Sequence, residues 1–277
     1  MRLGLNFTLP ETYDMVRRLN AEGHIDYVEL LIDNFLCVPP TELAKAFSCP
    51  VGFHIMFSRF LEEDRETLHD FVRRLRPYID ALNPMYVSDH CAYFTHKGRK
   101  LFFLGELDYA RDYELARERA EFWQNELGTK LLIENYPSIM DGGHEQPEFF
   151  ERLSREAGTG VLFDASNAVC AHLNTGLPLE RWDRIIANNR HFHVAGYNLS
   201  MIEPYVRVDT HAEALSPDTV EFLTSRKDLF DKEGATMTYE RDNEIHYDDI
   251  VADLTRLRAI FPKQQQAIAR EPALATA

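Results

Sequence analysis

Positive charge is scarce in this chain: 30 Lys and Arg stand against 45 Asp and Glu over 277 residues, a formal net charge of −15. A surface so acidic repels phosphate backbones and anionic bilayers, which disfavours nucleic acid and membrane as partners. Cysteine is sparse too. Cys37, Cys49, Cys91 and Cys170 form no C-x-x-C pair and are too few for a disulfide scaffold, so four reduced, mostly buried thiols are expected. No apolar run approaches the roughly 20 residues that span a bilayer. The opening Met1-Arg2-Leu3-Gly4-Leu5-Asn6 lacks the basic and apolar regions of a signal peptide, and the expected compartment is the cytoplasm. Internal repeats, Ser/Gly linkers and the Walker, Rossmann and G-x-S-x-G motifs are all missing. What remains is ordinary globular composition, 45% hydrophobic and 27% charged, which argues against a disordered chain.

Short apolar runs alternate with longer segments of helical periodicity. Strands are expected at Arg2–Phe7, Tyr27–Leu31, Val51–Ile55, Tyr86–His90, Leu131–Glu134, Gly160–Asp164, Arg190–Val194 and Thr236–Glu240. Between them, Thr67–Leu82 carries Leu68, Phe71, Val72, Leu75, Tyr78 and Ile79 on one stripe, and Tyr109–Leu127 and Asp248–Ile260 read likewise. Asp64 and Ser216 precede helices as caps, the latter followed by Pro217. Eight β-then-α units predict an α/β fold, a (β/α)8 TIM barrel, in preference to an open doubly wound sheet. The barrel is expected to occupy residues 1–262 as one domain, with 263–277 as a flexible C-terminal tail.

The informative residues end the strands. Six successive apolar strands run into His54, His90, Glu134, Asp164, His193 and Glu240. A single His or Glu there is most simply a hydrogen bonder or a helix cap. The set is different, because barrel strands converge at their C-terminal ends. Carboxylates gathered there repel by several kcal/mol per pair at about 4 Å, so they share protons or surround a cation. Imidazoles mixed with carboxylates suit Zn²⁺, Fe²⁺ or Mn²⁺. Asp164-Ala165-Ser166-Asn167 places an amide oxygen about one helical turn past a carboxylate. Asp209-Thr210-His211 is a D-x-H pair whose side chains share a side if the backbone is extended. The pool of His54, His90, Glu134, Asp164, Asn167, His193, Asp209, His211 and Glu240 is too large for one ion and fits two or three. His191 has the parity of His193 but sits deeper, as a core or supporting residue. His24, His69, His96 and His246 lie among polar neighbours and are expected to be solvated. Glu29 and Asp33-Asn34 are candidates to support ligands from the rim.

The ordered set resembles the frame of trinuclear metal barrels. Ile133-Glu134-Asn135, Phe163-Asp164-Ala165-Ser166-Asn167 and His193-Val194-Ala195-Gly196 are similar to segments of the DUF692 family, the multinuclear non-heme iron-dependent oxidative enzymes. Phe53-His54-Ile55-Met56-Phe57-Ser58-Arg59-Phe60 and Val87-Ser88-Asp89-His90-Cys91-Ala92 resemble its methanobactin-biosynthesis branch. The resemblance implies two or three iron ions, mixed Fe²⁺/Fe³⁺, with O₂ as co-substrate. It implies an MbnC-like partner protein and a Cys-containing, MbnA-like precursor peptide whose cysteine becomes an oxazolone with a neighbouring thioamide. It would assign His54, His90 and Glu134 to one iron, Asp164, His193 and Glu240 to a second with Glu134 bridging, and Asn167, Asp209 and His211 to a third. Asp242, two residues past Glu240, is the candidate general base. The same order also resembles endonuclease-IV-type zinc phosphodiesterases, but Asn167 replaces the histidine of their D-x-x-H and the acidic surface opposes DNA. A dinuclear sugar isomerase would leave Asp209 and His211 without a role.

Overall fold

A computed structural model describes residues 1–263. The barrel strands are β1 (Arg2–Phe7), β2 (Tyr27–Leu31), β3 (Val51–Ile55), β4 (Val87–His90), β5 (Leu131–Glu134), β6 (Gly160–Asp164), β7 (His191–Ala195) and β8 (Thr236–Glu240). They close in the order β1-β8-β7-β6-β5-β4-β3-β2, each pair parallel, and β2 returns to β1. This is the expected (β/α)8 barrel. Nearly every strand residue is buried, as it must be in a parallel sheet covered by helices outside and packed side chains within. Asp64 caps the helix Arg65–Leu82 by accepting from the Thr67 N–H, and Ser216 does the same for Pro217–Ser225 through Thr219. The expected helix from Tyr109 begins only at Tyr113, because Tyr109 is used as a core residue, its ring 5.1 Å from that of Phe149.

Two antiparallel hairpins were not visible in the sequence pattern. Tyr93–His96 pairs with Arg99–Gly105 after β4, and Tyr197–Leu199 pairs with Arg207–Asp209 after β7. Their strands are short and half-exposed, so no two-residue apolar alternation marks them. The expected tail lies outside the described residues except for Lys263. The cysteines are free, but only Cys91 and Cys170 are buried. Cys49 is half-buried and Cys37 exposed, which corrects the expectation of mostly buried thiols. No helix among the described residues is long and apolar enough to cross a membrane.

The lower barrel interior is plugged by Tyr27, Tyr86, Leu132 and Leu162. Gly52 makes room for one ring: a Cβ there would lie 2.5 Å from Tyr86 Cζ. The hydroxyls of this plug point toward the upper layer. Tyr86 donates to Glu29 Oε2 at 2.5 Å, and Tyr27 is bonded to Thr238 at 2.8 Å. The floor of the barrel thereby becomes the support of the layer above it.

At the opposite, N-terminal end, Asp26 ties the first and last elements together. It accepts from Leu3 N at 2.9 Å and from Arg258 at 2.7 Å, and Lys263 lies 3.0 Å away. Burial works against its ionisation, but these three donors prevail and hold its pKa below the ordinary carboxylate value. A depressed native pKa stabilises the fold above the unfolded value near 4 and loses that effect as pH falls through the native value. Asp26→Asn should therefore cost about 1 kcal/mol at pH 7, the pair being partly screened by solvent. Urea unfolding of variant and parent should converge in strong acid; a constant gap across the range would contradict the account.

Candidate metal centre

The nine candidates come from seven segments and lie at one rim. Asp164 ends β6 and caps the helix Ala165–Thr175, accepting from the Asn167 N–H at 2.5 Å, so the D-x-x-N spacing is enforced by the first helical turn. Asn135 zips β5 to β6, accepting from Asp164 N at 2.7 Å and donating to Asp164 O at 2.9 Å. Ser166 braces β7 by donating to Ala195 O at 2.7 Å and accepting from Ala195 N at 2.8 Å. The residues between the ligand candidates in these motifs hold the strand ends in register.

Each imidazole has one nitrogen tied back and the other aimed at carboxylates. His54 places Nδ1 2.8 Å from Ser88 Oγ and Nε2 3.4 Å from Glu134 Oε2. His90 places Nδ1 3.3 Å from Ile55 O and Nε2 3.2 Å from the same Glu134 oxygen. In His193, Nε2 meets Glu29 Oε2 at 2.7 Å, leaving Nδ1 3.0 Å from Glu240 and 3.7 Å from Glu134 Oε1. In His211, Nδ1 meets Asp242 Oδ2 at 2.7 Å, while Nε2 faces Asp209 at 2.8 Å and Glu240 at 3.8 Å. This is how metal-bound imidazoles are oriented: the distal nitrogen is fixed by an oxygen so that the ligating one points inward.

Two overlapping groups result. Donor atoms of His54, His90 and Glu134 lie within 4.8 Å of one another, and so do those of Glu134, Asp164, His193 and Glu240. Glu134 belongs to both. Asn167 donates through Nδ2 to Glu134 Oε1 and Asn135 O, at 3.3 and 3.0 Å, which leaves its carbonyl oxygen facing inward. Asp209 and His211 approach from the second hairpin. They meet because the chain turns at His211, where φ is +49°; the extended D-x-H backbone expected from sequence is thus corrected to a turn.

Buried polar atoms normally find hydrogen-bond partners. Here Glu134 Oε2, Asp164 Oδ2, Asn167 Oδ1, His193 Nδ1, Asp209 Oδ1 and Glu240 Oε2 have none. His193 Nδ1 and Glu240 Oε2 are 3.0 Å apart without hydrogen-bond alignment. Lone pairs converging this way fit a cation, and the mixed N/O donor set fits a divalent transition metal.

The ionisation pattern agrees. Burial, then the His90 charge, lowers the pKa of His54 to about 3, leaving a neutral imidazole. Burial also opposes protonation of His90, but Glu134 outweighs it and raises the pKa to about 9. The same contest, won by Glu240 and Glu29 for His193 and by Asp209 and Glu240 for His211, lifts both well above normal. Burial and then Glu134 drive Asp164 well upward, and burial raises Glu240. Protons stand in where cations would.

Several supporting residues carried little sequence signal. Glu29, a candidate from its place in β2, is the buried partner of His193. Asp33 accepts from Met56 N and Phe57 N at 2.9 and 3.1 Å and so fixes the loop after His54. Asn6, unremarked in the sequence, donates to Asp242 Oδ1 at 2.8 Å; only its interior parity with Gly4 on β1 pointed to it. Asp242 therefore has both oxygens engaged, one by Asn6 and one by His211. His191 bonds Thr236 at 2.9 Å deeper in the barrel, where it is half-buried and away from the donor cluster.

Gly196 explains its place in the His193-Val194-Ala195-Gly196 segment. A Cβ there would lie 2.0 Å from the Glu213 carbonyl oxygen, so the loop carrying Asp209 and His211 packs against bare backbone. Gly196→Ala should displace that loop and lower bound metal by about one equivalent while sparing the His54–His90–Glu134 group. Metal analysis of the purified variant checks this; full stoichiometry would refute it.

The rim around the cluster is apolar. Among the described residues, every exposed large apolar side chain except Leu115 lies in a segment following the C-terminal end of a barrel strand. These are Leu9, Phe57, Leu101, Phe102, Ile139, Met140, Leu199, Met201, Ile202 and Tyr205. Exposed large apolar side chains thus gather on the face of the barrel that carries the donor cluster.

A barrel with buried imidazoles and carboxylates converging on its C-terminal mouth defines the class, a TIM-barrel protein with a candidate metal-binding site. The chain belongs to the RiPP precursor modification enzyme MbnB/TglH/ChrH family, whose model matches residues 2–261; RiPPs are ribosomally made, post-translationally modified peptides. Curated relatives include a UPF0276 protein of Caulobacter vibrioides, 26% identical over 247 residues and covering 85% of this chain and 86% of that one. Another, from Rhizorhabdus wittichii, is 26% identical over 208 residues, covering 72% and 73%. Among solved structures, a xylose isomerase-like TIM barrel from Mycobacterium smegmatis in complex with magnesium aligns with TM-score 0.59 at 14% identity, covering 94% of this chain and 96% of that one. Endonuclease IV from Thermus thermophilus aligns with TM-score 0.57 at 17% identity, covering 94% and 98%. At such identities these two share the fold alone.

Proposed function

We propose that this protein is a multinuclear iron-dependent oxidase that uses O₂ to modify a cysteine in a ribosomal precursor peptide, acting in the cytoplasm with an MbnC-like partner. In the MbnB-like form of the reaction, the cysteine of an MbnA-like peptide becomes an oxazolone beside a thioamide. Membership of a peptide-modifying family supports the substrate class. The observation that carries the reading is the convergence of unpartnered buried donor atoms on one point of the barrel mouth.

His54, His90 and Glu134 would hold one ion. Asp164, His193 and Glu240 would hold a second, with Glu134 shared, and Asn167, Asp209 and His211 a third. When bound, iron supplies a one-electron redox centre able to take both O₂ and a cysteine sulfur. Reduction of one O₂ to two waters matches a four-electron oxidation of the peptide. The protein's own contribution is to orient and to move protons. Glu29, steadied by Tyr86, fixes the tautomer and angle of His193. Asp242 is the candidate base: it accepts from His211 Nδ1 and Asn6, and because His211 has both nitrogens engaged, a proton taken from the peptide would rest on the Asp242 carboxylate.

The test is anaerobic reconstitution with ferrous salt, then metal analysis and O₂ uptake with a Cys-containing precursor peptide and its partner protein. Two or three irons and peptide-dependent O₂ consumption are expected. Iron-loaded protein that consumes no O₂ under these conditions would overturn the reading.

A further inference from the structure

The hairpin after β4 begins three residues past His90 and stands at the mouth of the barrel. Its tip is Lys97-Gly98, both at positive φ (+50° and +74°), closing a two-residue turn between His96 and Arg99. That turn projects Lys97, Arg99 and Lys100, all exposed. Several other exposed cations on this acidic surface are matched: Arg117 by Glu114 and Glu121, Arg152 by Glu114 and Glu156, Arg181 by Glu148. No described carboxylate lies within ion-pair distance of the three hairpin cations. The hairpin is also anchored. Glu62 accepts from Phe94 N and Thr95 N, at 2.7 and 3.1 Å, and Tyr136 donates to Leu104 O at 2.5 Å. Leu101 and Phe102, 38% and 93% exposed, follow the basic run.

We propose that this hairpin is the docking platform for an acidic, apolar-bearing segment of the peptide substrate, seating it beside the mouth while its cysteine enters the barrel. The inference rests on the reading that the substrate is a peptide. Charge complementarity selects the occupant: in a chain of −15, three exposed cations clustered on one hairpin without carboxylate partners attract acidic side chains. Repulsion from the rest of the surface is screened beyond about 8 Å at physiological salt, so the local field governs contact. An anchored platform also loses little conformational freedom on binding.

The test is fluorescence anisotropy of the full-length, iron-loaded protein with labelled synthetic peptides: one rich in Glu with a single Leu, and one with every Glu replaced by Gln. The acidic peptide should bind at least tenfold more tightly than the neutral one, with affinity falling as salt rises. The triple variant Lys97→Gln, Arg99→Gln, Lys100→Gln should lose about tenfold in affinity for the acidic peptide, whereas Lys130→Gln, an exposed control before β5, should not. Equal binding of the two peptides, or equal affinity of the triple variant and parent, would overturn the proposal. Iron content and O₂ uptake, measured in parallel, separate the two ideas. An inactive protein that still prefers the acidic peptide through the hairpin would retain this surface while the oxidase reading fell, and an active protein with no such preference would do the reverse.

Discussion

Glu134→Gln is expected to lower bound iron by at least half and peptide-dependent O₂ uptake by more than a hundredfold. Glu134 is the residue common to both donor groups, with Oε2 facing His54 and His90 and Oε1 facing His193. An amide in its place keeps the shape but removes the negative charge that both ions would share, and presents N–H donors where a cation should sit. Even a partner one bond removed from a ligand typically matters tenfold to a hundredfold, and a shared ligand matters more. Asp26→Asn, at the other end of the barrel, serves as the control and should leave iron content unchanged. Full iron stoichiometry in Glu134→Gln would show that the two groups do not share a bridging carboxylate.

Ferrous iron at about a thousand times its dissociation constant should raise the unfolding midpoint by about 10 °C, corresponding to about 4 kcal/mol of binding linkage. The physical basis is the crowding of Glu134, Asp164 and Glu240 oxygens within 4.8 Å. Two full charges at that distance repel by about 3–4 kcal/mol at an effective dielectric constant near 20. Protons on Asp164 and the histidines relieve the repulsion without cations, and metal relieves it more completely while satisfying the bare lone pairs. Chelation should reverse the shift. Differential scanning calorimetry, with magnesium as the comparison ion, measures it. An unchanged midpoint in protein shown to carry iron would mean that the cluster contributes nothing to stability.

The two hairpins and the supporting shell show where sequence reading stops. Strands such as Val161-Leu162-Phe163 announce themselves by composition, and a polar residue at the end of each is conspicuous because apolar residues precede it. The strand Arg207–Asp209 has no such contrast, so Asp209 could be placed in the ligand pool but not on a hairpin. Glu29, Asn6 and Asp242 act through contacts spanning 164 residues for His193–Glu29 and 236 for Asn6–Asp242, and nothing local to any of them encodes those distances. The role of Gly196 likewise depends on a loop 17 residues further on.

The sequence alone determined the alternation of strand and helix, the closed eightfold barrel, and the ordered polar residues at the strand ends, because hydrophobic periodicity and local capping are written in neighbouring residues. Only the tertiary structure decided which nitrogen of each histidine faces inward, that Glu134 is common to two donor groups, that Asp242 is engaged by His211, and that a basic hairpin stands beside the mouth. Those are matters of direction and long-range proximity, set by barrel closure and packing rather than by any stretch of chain.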